Sequence, residues 1–478
     1  MKPGPTPLIK AKKKVFVKKY SDRISPKFNE KRFLHHVLLQ PNEILDLFAS
    51  NLNQIRTSCW FGRVHSIVGL LVEVKGINEY VQLGSVVSIH RDSQPPLLAE
   101  VVGFKENMTL VMGYGFLEGI KPRSKVVVLR AGLNIHPTSA WKGRVIDGLC
   151  NPIDNKGPLL QGTKPYFVKA TPPPAHTRLR TKEPISLGVR AINTFATCCK
   201  GQRMGVFSAT GVGKSILLGQ ITRFTQCDVI VVGLIGERGR EVNEFIEDQL
   251  GPEGLKKAIV VVATSDMPAL VRRQAAYVTL TLAEYFRDQK LNVLCVVDSM
   301  TRFALAQREI GLSIGEPPTT RGFPPTVFSE LPRLLERAGN TDHEGSITGI
   351  FSVLVEGDDH NEPISDTTRG ILDGHIVLDR NIAERGRYPA INILKSISRS
   401  MPARTIDEEA LIQKAKKVVS VYEEMADMVH LGAYKKGQSP EIDEAVRLFP
   451  KVEDFLKQAK DDESHFEDGL LKLKKVFS

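Results

Sequence analysis

The chain has 478 residues, 42% of them apolar and 25% charged, the balance of a soluble globular protein with room for large cores and, by length, about three domains. No apolar run approaches the ~20 residues of a membrane-spanning helix, and the basic N-terminus is not followed by the apolar stretch of a signal peptide. The net charge of +11 is unevenly spread: residues 1–40 hold eleven Lys/Arg against two acids, so one tail is basic and the body is close to neutral.

Residues 1–29 carry Pro3, Pro5 and Pro7 and the clusters Lys12-Lys13-Lys14 and Lys18-Lys19. They read as a disordered arm, either a solvated tail or a contact for anionic lipid headgroups or an acidic protein face. From Glu30 to Ile55 the pattern turns helical. Phe33, Leu34, Val37 and Leu38 share one face, and Asn42 can cap a second short helix bearing Ile44, Leu45, Phe48 and Leu52. That face either docks a partner or packs on its own domain. Residues 1–56 are taken together as the first region.

Residues 57–130 are β-runs separated by Gly and Pro: Trp60 to Val74, Ser85 to His90, Leu97 to Phe104, Met108 to Met112 and Lys125 to Leu129. Closely spaced strands without helices predict a small β-barrel or sandwich. Residues 131–185, with Thr171-Pro172-Pro173-Pro174, read as a mostly irregular connection. From 186 to 403 strands and helices alternate. Met204–Phe207, Val229–Leu234, Ala258–Ala263, Val293–Val297 and Ile347–Val355 are near-continuously apolar, as central parallel strands are. The run Pro268–Gln289 has Val271, Ala275, Val278, Leu282 and Tyr285 at helical spacing. The expectation is a parallel α/β sheet with its ligand site at the strand C-terminal ends. In 404–478 the stripe Leu411, Ala415, Val418, Tyr422, Met425 and Val429 predicts helices and a domain core. The six cysteines lack C-x-x-C spacing and several lie in apolar runs, so they read as buried, reduced thiols of a cytoplasmic protein.

One stretch carries the chemistry. Ser208-Ala209-Thr210-Gly211-Val212-Gly213-Lys214-Ser215 joins an apolar strand to a helical run. That is a P-loop: backbone N–H groups and a helix N-terminus face an anion, Lys214 reaches the β and γ phosphates, and Ser215 ligates Mg²⁺. The full pattern asks for Gly at 208, where this chain has the small residue Ser. Asp298 ends an apolar strand 84 residues after Lys214 and suits the carboxylate that orients Mg²⁺ through its water shell. Gly236-Glu237-Arg238-Gly239-Arg240-Glu241 follows another apolar strand. Glu237 there is placed to polarise an attacking water and Arg238 to neutralise γ-phosphate charge; a solvated charged turn fits the pattern equally well. Hydrolysis needs positive charge on the transferring phosphoryl group, for which Arg302 and Arg399 are both candidates. Glu356, Asp358, Asp359, His360 and Glu362 form an acidic loop that reads as a polar strand end rather than a metal site.

With these motifs in this order, residues 141–436 resemble the catalytic subunits of rotary-type ring ATPases, an F1-like, RecA-like α/β P-loop NTPase core. Within them the chain is most similar to the flagellar protein-export ATPases, relatives of the type III secretion ATPases. Gly201-Gln202-Arg203-Met204-Gly205, Gly315-Glu316-Pro317-Pro318-Thr319-Thr320-Arg321-Gly322, Gly357-Asp358-Asp359-His360-Asn361-Glu362-Pro363, Arg387-Tyr388-Pro389-Ala390-Ile391 and Ser398-Arg399 complete the likeness. The resemblance implies an N-terminal β-barrel, a central ATPase domain and a C-terminal helical domain. It makes Lys214 and Ser215 the phosphate and Mg²⁺ ligands and Glu237 the catalytic carboxylate, with Arg238 beside the phosphates. Asp298 and Glu241 would hold the Mg²⁺ shell, and Tyr388 would stack on adenine. Arg399 would be an arginine finger completing the neighbouring subunit's site, which requires a ring, by family a homohexamer. ATP and Mg²⁺ are the implied cofactors. The implied partners are a peripheral-stalk-like regulator, a central stalk protein, export chaperones with their substrates, and a membrane export gate at the inner face of the cell membrane.

The N-terminal extension is longer and more basic than the family's, which sets a membrane-surface role for residues 1–40 beside the regulator contact. Alternatives in the same fold are an injectisome-type secretion ATPase and an ATP synthase catalytic subunit. Nucleic acid is not expected as a partner, because the β-domain lacks a basic, aromatic-rich face. A regulatory nucleotide-binding scaffold would lack Glu237-dependent turnover.

Overall fold

The computed structural model describes residues 59–342, 344–355, 357, 359, 362–401 and 404–478. The basic arm, the two short amphipathic helices, and Glu356, Asp358 and His360 of the acidic loop lie outside the described residues.

Six strands, β1 (Phe61–Val68), β2 (Leu71–Lys75), β3 (Val86–Arg91), β4 (Gln94–Lys105), β5 (Met108–Gly113) and β6 (Lys125–Arg130), close into a barrel in the order β1-β2-β5-β4-β3-β6. Of the two expected all-β forms, it is therefore the barrel. The apolar run Trp60–Val74 is two strands, not one: Gly69 at φ 58° turns the chain, and Val68 pairs back with Leu71. Alternation fills the barrel interior, where Val64, Val72, Val74, Val87, Ile89, Val101 and Val111 are buried.

The second sheet runs β14-β13-β8-β12-β11-β9-β10-β7, where β7 is Val145–Asp147, β8 Arg203–Ser208, β9 Val229–Ile235, β10 Ala258–Ala263, β11 Asn292–Asp298, β12 Ser346–Leu354, β13 Gly374–Leu378 and β14 Ile391–Ser398. Pairing along this path is parallel except between β13 and β14. The five apolar runs form its middle, as read. Alternate residues enter two cores: Val231, Ile259, Cys295 and Phe351 on one face, Val206, Val232, Val260 and Val296 on the other. Covering both faces explains why these strands carry little polarity.

Two features depart from the sequence reading. The segment 131–185 is not merely a connection, since it supplies edge strand β7, whose three residues are too few to show a period. Strands β13 and β14 also extend the sheet, but His375 and Lys395 interrupt their apolar runs.

Helix α4 (Ala269–Arg287) is buried on nearly every side, sandwiched between the sheet and the barrel end of the molecule. From it Arg273 reaches the barrel residue Glu100 at 2.7 Å, where Lys169 (2.7 Å) and Tyr114 (2.6 Å) also donate. Burial alone would raise the Glu100 pKa, but Arg273 and Lys169 override it and hold it at about 2. On the opposite face lie α1 (Arg190–Phe195), α2 (Lys214–Phe224) and three C-terminal helices, α6 (Ile406–His430), α7 (Pro440–Leu456) and α8 (Phe466–Phe477). Ala415 and Val418 of the expected stripe are buried in this core with Val452 and Leu473, while Leu411 and Tyr422 border it. A capping box at Thr405 and Glu408 starts α6. Among the described residues no helix is long and apolar enough to cross a membrane.

Candidate active site

Strand β8 ends at Ser208, and the chain turns through Ala209–Gly213 before α2 begins at Lys214. The turn needs its two glycines for backbone reasons. Gly211 (φ 84°) and Gly213 (φ 90°) are left-handed, although a Cβ on Gly211 would meet nothing within 4 Å. Ser208, which stands where the pattern has Gly, is fully buried, and its Oγ has no hydrogen-bond partner.

Parallel register places Asp298 and the Glu237 loop at the same sheet edge. Leu234 of β9 pairs with Asp298 of β11, and Ser208 of β8 pairs with Leu354 of β12. This is the crevice outside the carboxyl ends of the strands, where open α/β sheets bind ligands. Lys214 Nζ bonds Asp298 Oδ1 and lies 3.6 Å from Glu237 Oε1. Burial would strip the Lys214 proton, but Asp298 and Glu237 hold its pKa above the ordinary lysine value. Glu237 is pushed up to about 7 by burial and by the negative charge of Asp298, with Lys214 acting in the opposite sense and Glu241 adding a side-chain hydrogen bond. Its Oε1 has no hydrogen-bond partner. The even choice left by the sequence is thus resolved for position: Glu237 is half-enclosed beside Lys214, not out on a solvated turn. Gly236, at φ 71°, makes the bend, and a Cβ there would lie 2.8 Å from Arg302 Cβ. Arg302, on α5 (Met300–Ser313), therefore packs under the Glu237 loop.

Ser215, Glu237, Glu241 and Asp298 line a cavity of about 260 Å³, whose far wall is a π-helical segment (Phe245–Leu250) contributing Asp248 and Gln249. The hydroxyl and carboxylate set suits a hard divalent cation. No group of three His, Cys, Asp or Glu among the described residues is disposed to cage a metal, but Mg²⁺ needs none, because it keeps several waters and takes one or two protein ligands.

Tyr388 stands on the other side of the loop. Its ring carbons lie 3.4–3.5 Å from where a Cβ on Gly213 would sit, and the side chain is 45% exposed, so one ring face is available. Arg238 is exposed at the start of α3 (Gly239–Glu244) and does not join the Lys214–Glu237–Asp298 group. Arg399 is farther off. Its backbone N–H donates to Asp373 O at 2.8 Å, just before β13, level with Met204 at the opposite end of β8 from the P-loop. Four residues of strand, about 13 Å, plus two strand spacings separate it from Ser208. The exposed Arg399 does not serve the P-loop of its own chain.

Two contributors were not read from sequence. Ser352 Oγ donates to Asp298 Oδ1 at 2.5 Å; a lone polar residue in the run Ile350–Val355 was the available signal. Gln458 N donates to Tyr388 O at 3.0 Å, a pairing across 70 residues that no local pattern carries.

The comparisons with known proteins agree along the chain. Residues 188–398 match the nucleotide-binding domain of the ATP synthase alpha/beta family, residues 64–130 match that family's beta-barrel domain, and residues 406–475 match the T3SS EscN ATPase C-terminal domain. The chain is 54% identical over 416 residues to a flagellum-specific ATP synthase of Caulobacter vibrioides, covering 86% of this chain and 94% of that one. The assembled ATPase EscN of the enteropathogenic E. coli type III secretion system superimposes with a TM-score of 0.82 at 39% identity, over 87% of this chain and all (100%) of that one. EscN in complex with its central stalk EscO gives 0.79 at 39% identity, with the same 87% and 100% coverage.

Proposed function

The chain belongs to the ATP synthase alpha/beta family, and from that premise we propose that it is the ring-forming ATPase of flagellar protein export. It is an ATPase of type III protein export. The assignment to the flagellar branch is supported by the 54% identity to a flagellum-specific relative. The likeness to EscN keeps an injectisome ATPase as the second reading. The ATP synthase catalytic subunit is disfavoured by the C-terminal match at residues 406–475.

One observation carries the chemistry: Lys214, Glu237 and Asp298, from three separate elements, meet at the carboxyl edge of the sheet. In the proposed reaction the P-loop, Ser208 to Ser215, wraps the phosphates of ATP and Lys214 turns its ammonium from Asp298 to the β and γ phosphates. Ser215, Asp298 and Glu241 would hold Mg²⁺, directly or through water. When bound, Mg²⁺ neutralises charge on the phosphate oxygens. Glu237 orients the attacking water and draws its proton as the oxygen approaches phosphorus, and the bond from γ-phosphorus to the ADP oxygen breaks with its electrons leaving on ADP. Tyr388 offers its exposed face to adenine, and Arg238 lies within the same loop as Glu237.

Arg399 completes the site of the neighbouring subunit, so the working unit is a homohexamer. EscN was solved assembled, and with a central stalk, which supports the same arrangement here. The remaining partners follow the family: a peripheral-stalk-like regulator, export chaperones with substrates, and a membrane gate. The protein would work in the cytoplasm at the inner membrane face, with the basic residues 1–40 toward anionic lipid.

The test is turnover per subunit as protein concentration rises, with Glu237→Gln alongside. Cooperative onset, together with a variant that binds ATP and turns over at least about 100-fold more slowly, is the expected result. A Glu237→Gln variant with undiminished turnover overturns the reading.

A further inference from the structure

Asp298 is held by two donors, and both use the same oxygen. Lys214 Nζ and Ser352 Oγ (2.5 Å) converge on Oδ1. Ser352 is fully buried in the middle of the sheet, on β12 between β8 and β11. The register that pairs Val297 with Phe351 brings Ser352 level with Asp298, and Val206 flanks it from the other side. Its neighbours along the strand, Phe351 and Val353, are buried apolar residues, so a hydroxyl here has a cost that only its hydrogen bond offsets.

The two donors are not equivalent. Lys214 is the group that must turn to phosphate when nucleotide arrives, so its hold on Asp298 is temporary. Ser352 is fixed to a central strand, and its hydroxyl is spent on Asp298. We propose that Ser352 is a positioning residue that keeps Oδ1 engaged after Lys214 leaves, so that the carboxylate stays in one rotation and leaves Oδ2 for the cavity that Asp298 lines. This rests on the reading of Asp298 as the acid of the Mg²⁺ shell and deepens it. Groups that orient a metal's carboxylate are known to carry much of its affinity. Without Ser352, Asp298 would lose its last strand-borne donor at the moment the cation needs it.

The experiment is equilibrium binding of ADP to the full chain, by calorimetry, with and without Mg²⁺. In Ser352→Ala the Mg²⁺-free affinity stays at the wild-type value, which also reports an intact fold. The gain in affinity on adding Mg²⁺ falls about 10-fold. Ser352→Thr keeps the hydroxyl and retains the gain. A Ser352→Ala protein with the full wild-type gain overturns the proposal. Asp298→Asn separates the two levels. If it loses the gain while Ser352→Ala does not, the site reading stands and only the role of Ser352 fails. If Asp298→Asn itself keeps the gain, the reading of Asp298 fails and the proposal falls with it.

Discussion

Tyr388 shows how much one side chain's role depends on what the backbone does nearby. Its ring rests beside the glycine that ends the P-loop, and its carbonyl is bound by Gln458. One face packs and the other is available, the arrangement a flat π-system needs to hold a base. Tyr388→Ala is expected to raise the KM for ATP about 10-fold while Tyr388→Phe leaves it unchanged, since the proposed stacking on adenine uses the ring and not the hydroxyl. Steady-state kinetics on both variants checks this. Equal effects of the two would put the hydroxyl at work instead.

Between elements, the P-loop helix and the π-helical wall of the cavity approach through a glycine. A Cβ on Gly219 of α2 would lie 2.3 Å from Gln249 Oε1 and 2.7 Å from its Cβ. The tip of Gln249 can swing aside, but its Cβ cannot. Gly219→Val is therefore expected to push the two elements apart, costing about 1–3 kcal/mol in stability and lowering ATPase activity with it. Chemical denaturation and turnover on the same preparation read both; unchanged values would mean the wall yields freely. The C-terminal half of α2 is strapped to the segment between α7 and α8. Gln220 donates to Ala459 O at 3.0 Å and Arg223 pairs with Asp461 at 2.9 Å, which ties α2 to the segment ahead of α8.

At the scale of the whole molecule, the barrel is held to the ATPase core by a buried ion cluster centred on Glu100. Its carboxyl pKa is lowered to about 2, so its contribution is fully present above the ordinary value of 4.5 and is lost as pH falls through about 2. Glu100→Gln should remove that contribution at neutral pH, leaving the buried Arg273 without its counter-charge, at a cost of about 3–5 kcal/mol. Below pH about 2 the two proteins should converge. Unfolding measured from pH 7 downward tests it, and parallel curves would show the cluster to be inert. The ring is tested by mixing. Glu237→Gln and Arg399→Ala should each be inactive alone. Mixed rings contain interfaces that pair an intact Glu237 with an intact Arg399 from the adjacent subunit, so mixing should restore part of the turnover. No recovery would mean that Arg399 does not act across subunits.

Much of this was legible in the chain itself. The P-loop, the Asp298 strand and the five apolar strands are local patterns whose physics is complete within a few residues: a glycine at positive φ, a helix N-terminus, two buried sheet faces. The closely spaced β-runs of residues 57–130, separated by Gly and Pro, likewise pointed to a β-domain, and the stripe from Leu411 to a helical core. Tertiary structure decided the rest, because it turned on what distant segments meet. Whether the β-domain closed depended on β1 finding β6. The three-residue β7 acquired meaning only beside β10. Glu237 became a half-enclosed carboxyl only when Lys214 and Asp298 arrived next to it, and Ser352 looked like an accident in an apolar strand until its register set it on Asp298. Arg399 is the sharpest case. Its motif marks it as important, yet only the sheet order places it at the far end of β8, where its own chain's phosphates are out of reach.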